Sequence, residues 1–548
     1  MAYYNSLREY LEALDKAGEL ITITTPINKD TQLAPLVRLQ FRGLPEEQRK
    51  GFLFTNVFDS RGKKYDIPVA MGVLGASTKV VALSLQCQPE ETNEKLAQAW
   101  MHPIKTKLVE KGPVQAVVYK GDSLLEKGGL DEFPVPISTP GYDAGPHCSA
   151  PCWVTKDPDT GIRNVGIYRS LIMAQDRMGI HLGELDADLT VHWQKCRARG
   201  IPLQVAIVHG GPPNLTNVGA SSIAYGVDEY TVAGAIAGQA VEMVKCKTVD
   251  LEVPANADVV IEGEMSTAEL EMEGPHGESI GYMDCWEMQP YLTVTCITHR
   301  KDPIWQTILS QLPRSENTKR GQVLSTAMLY KRYKYDLAMS SVLQVANPET
   351  GTGRTPFIII QLKMHTDQEE VWRALEAASG ASIAIAVDDD IDPWHPDQFW
   401  FAIGTRTLLH RDIKIIRHKV TSRITSNMFL PTEEMIKTIR HQQFDPTLEV
   451  PFETSTMLIN ATLKWDYAPV SLPTKEFMEE ALGIWQKEGL PALKLEEPWY
   501  GYELGYWPKE FAEAAARAVK GEYFKTSKIR AKERVKVDYP TIKPEGER

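Results

Sequence analysis

Hydrophobic positions follow two different periods along the chain, and the change of period divides it. The segment LREYLEALDKAGEL opens on Ser6-Leu-Arg-Glu9, where a Ser hydroxyl and a Glu carboxylate can satisfy exposed amides at a helix start, and Gly18 is placed to end that helix. From about Val114 to Thr298 the pattern turns into short β-rich runs, VQAVVYK, RNVGIYRSLIM, LQVAIVHGG, ADVVIEGEM and YLTVTCITH, broken by Gly, Pro and Asp. These predict a sheet or barrel with inserted helices. FIIIQLKM, DQEEVWRALEAAS and SIAIAVDDD then read as strand, helix, strand, a βαβ crossover with parallel pairing that begins a separate α/β domain. PTKEFMEEALGIWQKEGL predicts a late amphipathic helix.

Polar residues inside these patterns are the candidates for chemistry. In NVGIYRSLIM, period-2 alternation sends Val165, Ile167, Arg169 and Leu171 to one face, so Arg169 points among apolar neighbours. A guanidinium cannot shed its charge on burial and needs a carboxylate or an anionic ligand. Glu273 and Glu278, in ELEMEGPHGESIGYM, are its natural partners, because two glycines and Pro275 break regular structure and let both acids converge. The acid paired with Arg169 is expected to stay ionised, and a less solvated neighbour to have a raised pKa and serve as a general acid. A structural salt bridge and a solvated turn explain the same residues without catalysis. Asn164, His192 and Glu229 offer an amide oxygen, an imidazole and a carboxylate, a set suited to Mn or Mg, although helix capping accounts for Glu229 equally well. The acids of VDDDID read as caps and helix-dipole partners before a metal site.

Composition narrows the classes. A chain of 548 residues exceeds what one core sustains, so two or three domains are expected. The apolar share of 43% and charged share of 24% are those of a soluble globular protein, and no run approaches a membrane span. Seven cysteines without C-x-x-C spacing argue against a disulfide framework, and Cys148 and Cys152 read as buried hydrophobes. A net charge of −12 disfavours nucleic-acid binding. The basic cluster from Lys525 to Lys536 reads as a solvated tail or subunit-contact arm, and the N-terminus, with no secretory pattern, gives a cytoplasmic expectation.

With these residues in place, the chain resembles the UbiD-type decarboxylases that use prenylated flavin mononucleotide, among them ferulic acid decarboxylase and the aromatic-acid members. The matching segments, in family order, are LREYLEALDKAGEL, DPDTGIRNVGIYRSLI, GVDEYTVAGAIAG, EGPHGESIGYM, PIWQTILSQLPRSEN and VDDDIDPW. The resemblance implies an α/β (α+β) fold: an N-terminal α/β segment over 1–113, a split β-barrel flavin-binding domain over 114–320, a C-terminal α/β oligomerisation domain over 321–524, and a basic tail over 525–548. It implies that Arg169, Glu273 and Glu278 form the catalytic network, with Glu278 as proton donor to the product carbon. Asn164, His192 and Glu229 would hold a divalent ion, usually Mn, at the cofactor phosphate. Ser221, Ser222 and Glu229 would adjoin a potassium ion, and Ile167 and Ser149 would contact the flavin. The implied reaction is reversible, non-oxidative decarboxylation of an aromatic or α,β-unsaturated acid through a substrate–cofactor adduct, with CO2 loss and protonation.

The implied partners are the small acid and CO2, a flavin prenyltransferase that supplies the cofactor, and further copies of the chain in a homodimer or homohexamer. Two departures stand out: His147-Cys-Ser-Ala-Pro151 replaces a Tyr-Ile-Thr-Ala-Gly-like run, and His276 sits inside the acid loop without an assigned counterpart. An aromatic carboxylase or aryl-CoA decarboxylase is the alternative within the family. A non-catalytic flavin-binding assembly subunit is the alternative outside catalysis, and a buried charged triad without a task argues against it.

Overall fold

The computed structural model describes residues 2–182, 187–221, 223–284, 287–349, 357–378, 380–419 and 453–536. The first helix, Leu7–Lys16, starts where the capping pattern puts it, with Ser6 Oγ accepting the Glu9 N–H at 3.2 Å. The reciprocal half of the box differs, since the Glu9 carboxylate takes the Asn5 N–H at 2.8 Å.

The β-rich middle forms a nine-stranded sheet. Its path runs Arg163–Ile167, Cys152–Lys156, Leu203–His209, Val259–Met265, Tyr291–His299, Arg177–Gly179, Ser170–Ala174 and His147–Cys148, with Val117–Lys120 added on Tyr291–His299. Alternation buries both faces: Trp153, Ile207, Ile261 and Ile297 enter one core, while Val154, Ala206, Val208 and Val260 enter another. The connectivity forces curvature. Arg163–Ile167 and Ser170–Ala174 lie six positions apart on the path, roughly 29 Å in a flat sheet at the usual strand spacing. Only Tyr168 and Arg169 separate them in the chain, and three peptide units reach roughly 11 Å. The sheet therefore curls into a half-barrel whose seam is crossed at Arg169.

This corrects the expectation that Arg169 lies within one continuous strand. The strand stops at Ile167, whose N–H is taken by Gly219 O at 3.0 Å, and the Trp153 indole holds the Tyr168 carbonyl at 3.1 Å. The ladder restarts on a different neighbour, so period-2 facing does not carry from Val165 to Leu171.

The βαβ reading holds. Phe357–Leu362 and Ile383–Asp388 pair in parallel, joined by the helix Gln368–Ala377, and the sheet extends through Glu453–Asn460 to the antiparallel Ile413–Lys419. Three of the four acids at the end of Ile383–Asp388 are engaged by protein. Arg406 pairs with Asp388 at 3.1 Å and Asp390 at 2.6 Å, and Asp392 accepts the Trp394 N–H. The late helix Lys475–Lys487 buries none of its residues and leaves Phe477 and Ile484 exposed. Cys148 and Cys152 are buried, and the six described cysteines are free. No helix among the described residues is long and apolar enough to cross a membrane.

Candidate functional site

The seam opens onto a cavity of about 560 Å³, within the range of small-molecule and cofactor sites. Arg169 lines it, brought there by the break between its two strands. Across from it, the chain leaves the sheet after Met265 and forms a short hairpin, Glu271–Glu273 with Glu287–Gln289. Glu273 is thus the last residue of a strand, where an irregular segment was expected. The loop carrying Glu278 follows it and is tightened by the Glu278 N–H on Tyr282 O at 2.8 Å. Gly179 lets the hairpin in: a Cβ there would meet Glu273 Cγ at 2.9 Å.

Three acids converge on Arg169. Nη1 donates to Glu278, and Nη2 donates to Glu273 Oε2 at 3.0 Å and to Asp284 Oδ2; His181 Nδ1 lies 3.0 Å from Nη2. Glu278 lines the cavity with Arg169, while Glu273 and Asp284 lie behind the guanidinium, 0% and 1% exposed. Burial opposes ionisation of Glu273 and Glu278, but the Arg169 charge outweighs it and holds both carboxyls below the usual carboxylate range. Asp284 is the acid pushed up, because burial there exceeds what Arg169 returns. The expected split between an ionised and a raised acid therefore falls between the glutamates and Asp284, not between the two glutamates, since both glutamates touch the same cation.

Asn164, Ile167, Ser149, Ser221 and Glu229 also line the cavity. Glu229 opens the helix Glu229–Ala237 and takes the Val165 N–H at 2.7 Å; burial pushes its carboxyl up to about 8 against the backbone N–H groups that favour its charge. Asn164 faces Thr155 across the ladder, and its Nδ2 is buried without a partner. His192 is not among the lining residues. It sits one residue behind, with Nδ1 2.9 Å from Thr155 Oγ1, and burial pushes its imidazole down to about 4. Ser222 lies outside the described residues.

The sequence reading missed three residues of this site. Asp284 stands eleven positions after Glu273 at the far end of the same loop, and its place after the apolar pair Tyr282-Met283 is the only signal it carries. His181 gives no signal. Arg320, on the helix Glu316–Lys331, is 1% exposed and lines the cavity with Nε and Nη1 unpartnered; a basic residue on the inner face of a buried helix could have been flagged.

Comparison with known proteins follows the same order along the chain. Residues 11–100, 105–313 and 321–461 match the UbiD 3-octaprenyl-4-hydroxybenzoate carboxy-lyase N-terminal, Rift-related and C-terminal domains. The chain is 28% identical to a phenolic acid decarboxylase of Bacillus subtilis over 425 residues, covering 75% of this chain and 87% of that protein. Its fold superposes on the UbiD-class enzyme HmfF of Pelotomaculum thermopropionicum in complex with prFMN, at a TM-score of 0.70 and 28% identity, covering 86% of this chain and 98% of that one. The vanillic acid decarboxylase of Sedimentibacter hydroxybenzoicus gives a TM-score of 0.72 at 26% identity, covering 89% and 100%.

Proposed function

Because the chain belongs to the UbiD family of carboxy-lyases, we propose that it is a reversible, non-oxidative decarboxylase of an aromatic or α,β-unsaturated carboxylic acid that works with prenylated FMN in the seam cavity. The observation that carries this reading is Arg169 at the cavity wall, with Glu278 beside it on the open side and Glu273 and Asp284 behind. The surroundings fit an anionic cofactor held with a cation. Buried donors without acceptors, Asn164 Nδ2 and Arg320 Nε and Nη1, call for phosphate or flavin oxygens. Glu229 and the Asn164 amide oxygen would be oxygen ligands for a divalent ion such as Mn, with His192 adjoining through Thr155, and Ser221 and Glu229 would adjoin a potassium ion.

When bound, prenylated FMN supplies the electron sink that accepts the charge left as CO2 departs. The chain's own residues do the rest. Arg169 fixes the acids and gives an incoming carboxylate its counter-charge. Glu278 delivers the proton to the carbon that loses CO2. An anionic substrate beside Glu278, with water excluded, raises the proton affinity that Arg169 otherwise holds down, so the proton arrives with the substrate. The exposed Phe477 and Ile484 on the late helix support assembly with further copies of the chain.

The test is co-expression with a flavin prenyltransferase, an absorbance spectrum of the purified protein, and a CO2-release screen over aromatic, heteroaromatic and enoic acids. Turnover of at least one acid by flavin-loaded protein is expected. Loaded protein that releases CO2 from none of them overturns the reading.

A further inference from the structure

The two histidines that depart from the family pattern, His147 and His276, meet in the fold. Their rings stack with centroids 4.2 Å apart and planes 28° apart, and both are buried. Around them, among the described residues, lie Asp143, Glu273, Glu278, Asp284, His181 and Arg169.

Donor and acceptor geometry assigns the protons. His147 Nδ1 lies 2.9 Å from Gly145 O, and a carbonyl only accepts, so Nδ1 carries hydrogen. His147 Nε2 then faces Glu273 Oε1 at 3.5 Å, and neither atom has another partner. Two lone pairs cannot be buried against each other without cost, so a proton belongs between them. His276 resolves differently. Its Nδ1 is 3.3 Å from Asp143 Oδ1, and its Nε2 is 3.4 Å from the Gln311 amide nitrogen, a donor, which leaves it neutral with its hydrogen toward Asp143. Burial also favours the neutral form of His276. His181 Nδ1 faces the other carboxylate oxygen, Glu273 Oε2, at 3.9 Å, the one Arg169 already takes, and not Oε1.

We propose that His147 is held as an imidazolium whose Nε2–H binds Glu273 Oε1, a second fixed cation that positions Glu273 on the oxygen Arg169 does not take. The pair Asp143–His276 beneath it holds the ring in place: Asp143 is itself anchored by the Thr139 N–H at 2.7 Å and the Gly277 N–H at 3.1 Å. A metal ion is the competing arrangement, since Asp143, His147 and His276 bring one ligand atom each within 4.8 Å of one another, and the test below separates the two. The charge balance agrees, since one guanidinium against the two ionised glutamates, Glu273 and Glu278, leaves buried negative charge that a second cation reduces. His147 is a positioning residue, because it acts through Glu273 and does not line the cavity.

The assignment of a catalytic consequence rests on the decarboxylase reading, and the first test does not. In spectra of 15N-histidine-labelled protein without cofactor at neutral pH, one ring is expected to show both nitrogens protonated, and that signal should vanish in His147→Gln. If that variant does not fold, Glu273→Gln is the second route: a neutral partner should shift the same signal to the neutral pattern. In the loaded enzyme, His147→Gln, which keeps an N–H toward Glu273 without titrating, should lower kcat by about 10-fold to 100-fold, leave KM unchanged, and remove the alkaline limb of the pH–rate profile. Neutral histidines throughout the labelled spectrum, an alkaline limb unchanged in His147→Gln, or a transition metal retained by wild type and lost in that variant would each overturn the proposal. Absence of turnover with the imidazolium signal present would overturn the decarboxylase reading alone.

Discussion

Two buried arginines divide this molecule's electrostatics. Arg406, in the C-terminal sheet domain, is held by Asp388 and by both oxygens of Asp390, and those acids are in turn satisfied by the Leu463 N–H and the Tyr502 hydroxyl. Arg169, at the barrel seam, meets three acids and a histidine, yet its own Nε is left without a hydrogen-bond partner and Glu273 Oε1 is completed only by a proton shared with His147. The first network is saturated and closed on itself, which is how buried charge is made tolerable. The second keeps unspent capacity beside a cavity, where a ligand or a proton can complete it. Burial alone does not distinguish their roles, since both side chains are largely withdrawn, Arg169 10% and Arg406 3% exposed; completeness does.

Removing each cation should break the comparison most sharply. Arg169→Met is expected to abolish turnover, while Arg406→Met should leave turnover per folded molecule intact and destabilise the protein by about 3–5 kcal/mol by stranding two acids. Urea unfolding alongside kcat for both variants measures this, and equal loss of turnover in the two would erase the distinction. Next in size, Glu278→Gln should lower kcat by about 10²-fold to 10⁴-fold with the flavin absorbance retained. Wild-type rates in that variant would remove Glu278 from the chemistry. The Arg406 cluster has no counterpart to the effect expected of Glu229→Ala, which is loss of bound divalent ion by elemental analysis, with flavin lost alongside.

The smallest effect is the pH dependence of stability, where the two clusters should differ in sign. Burial pushes the Asp388 carboxyl up to about 6, so its contribution is full below the ordinary carboxylate range and is lost as pH rises through about 6. Glu278 is held below that range despite its burial, so its contribution is present above the range and disappears as pH falls. Unfolding free energies from urea titrations should therefore fall less with rising pH between pH 4 and pH 7 in Asp388→Asn than in wild type, by about 1–3 kcal/mol, and should fall less with acid below the ordinary carboxylate range in Glu278→Gln. Parallel curves for all three proteins would contradict the assigned directions.

Much of this was written locally. The capped first helix, the strand–helix–strand crossover and the alternation that buries both faces of Leu203–His209 depend on short-range rules, and those elements stand where the pattern puts them. The segment carrying Glu273 and Glu278 was legible as a place where acids leave regular structure, although Glu273 proved to end a strand. Asp284, His181 and the stacking of His147 on His276 were not legible, because each owes its role to a partner from 12 to more than 100 residues away.

By itself the sequence determined which residues could carry charge into the interior and which segments would be strand, helix or turn, since period, capping and turn chemistry act within a few residues. The tertiary structure decided that the chain crosses between two ends of a curled sheet at Arg169, and which acids share that cation. Those are consequences of strand order and of burial, and they set the direction of each carboxyl's pKa through distances that no local pattern encodes.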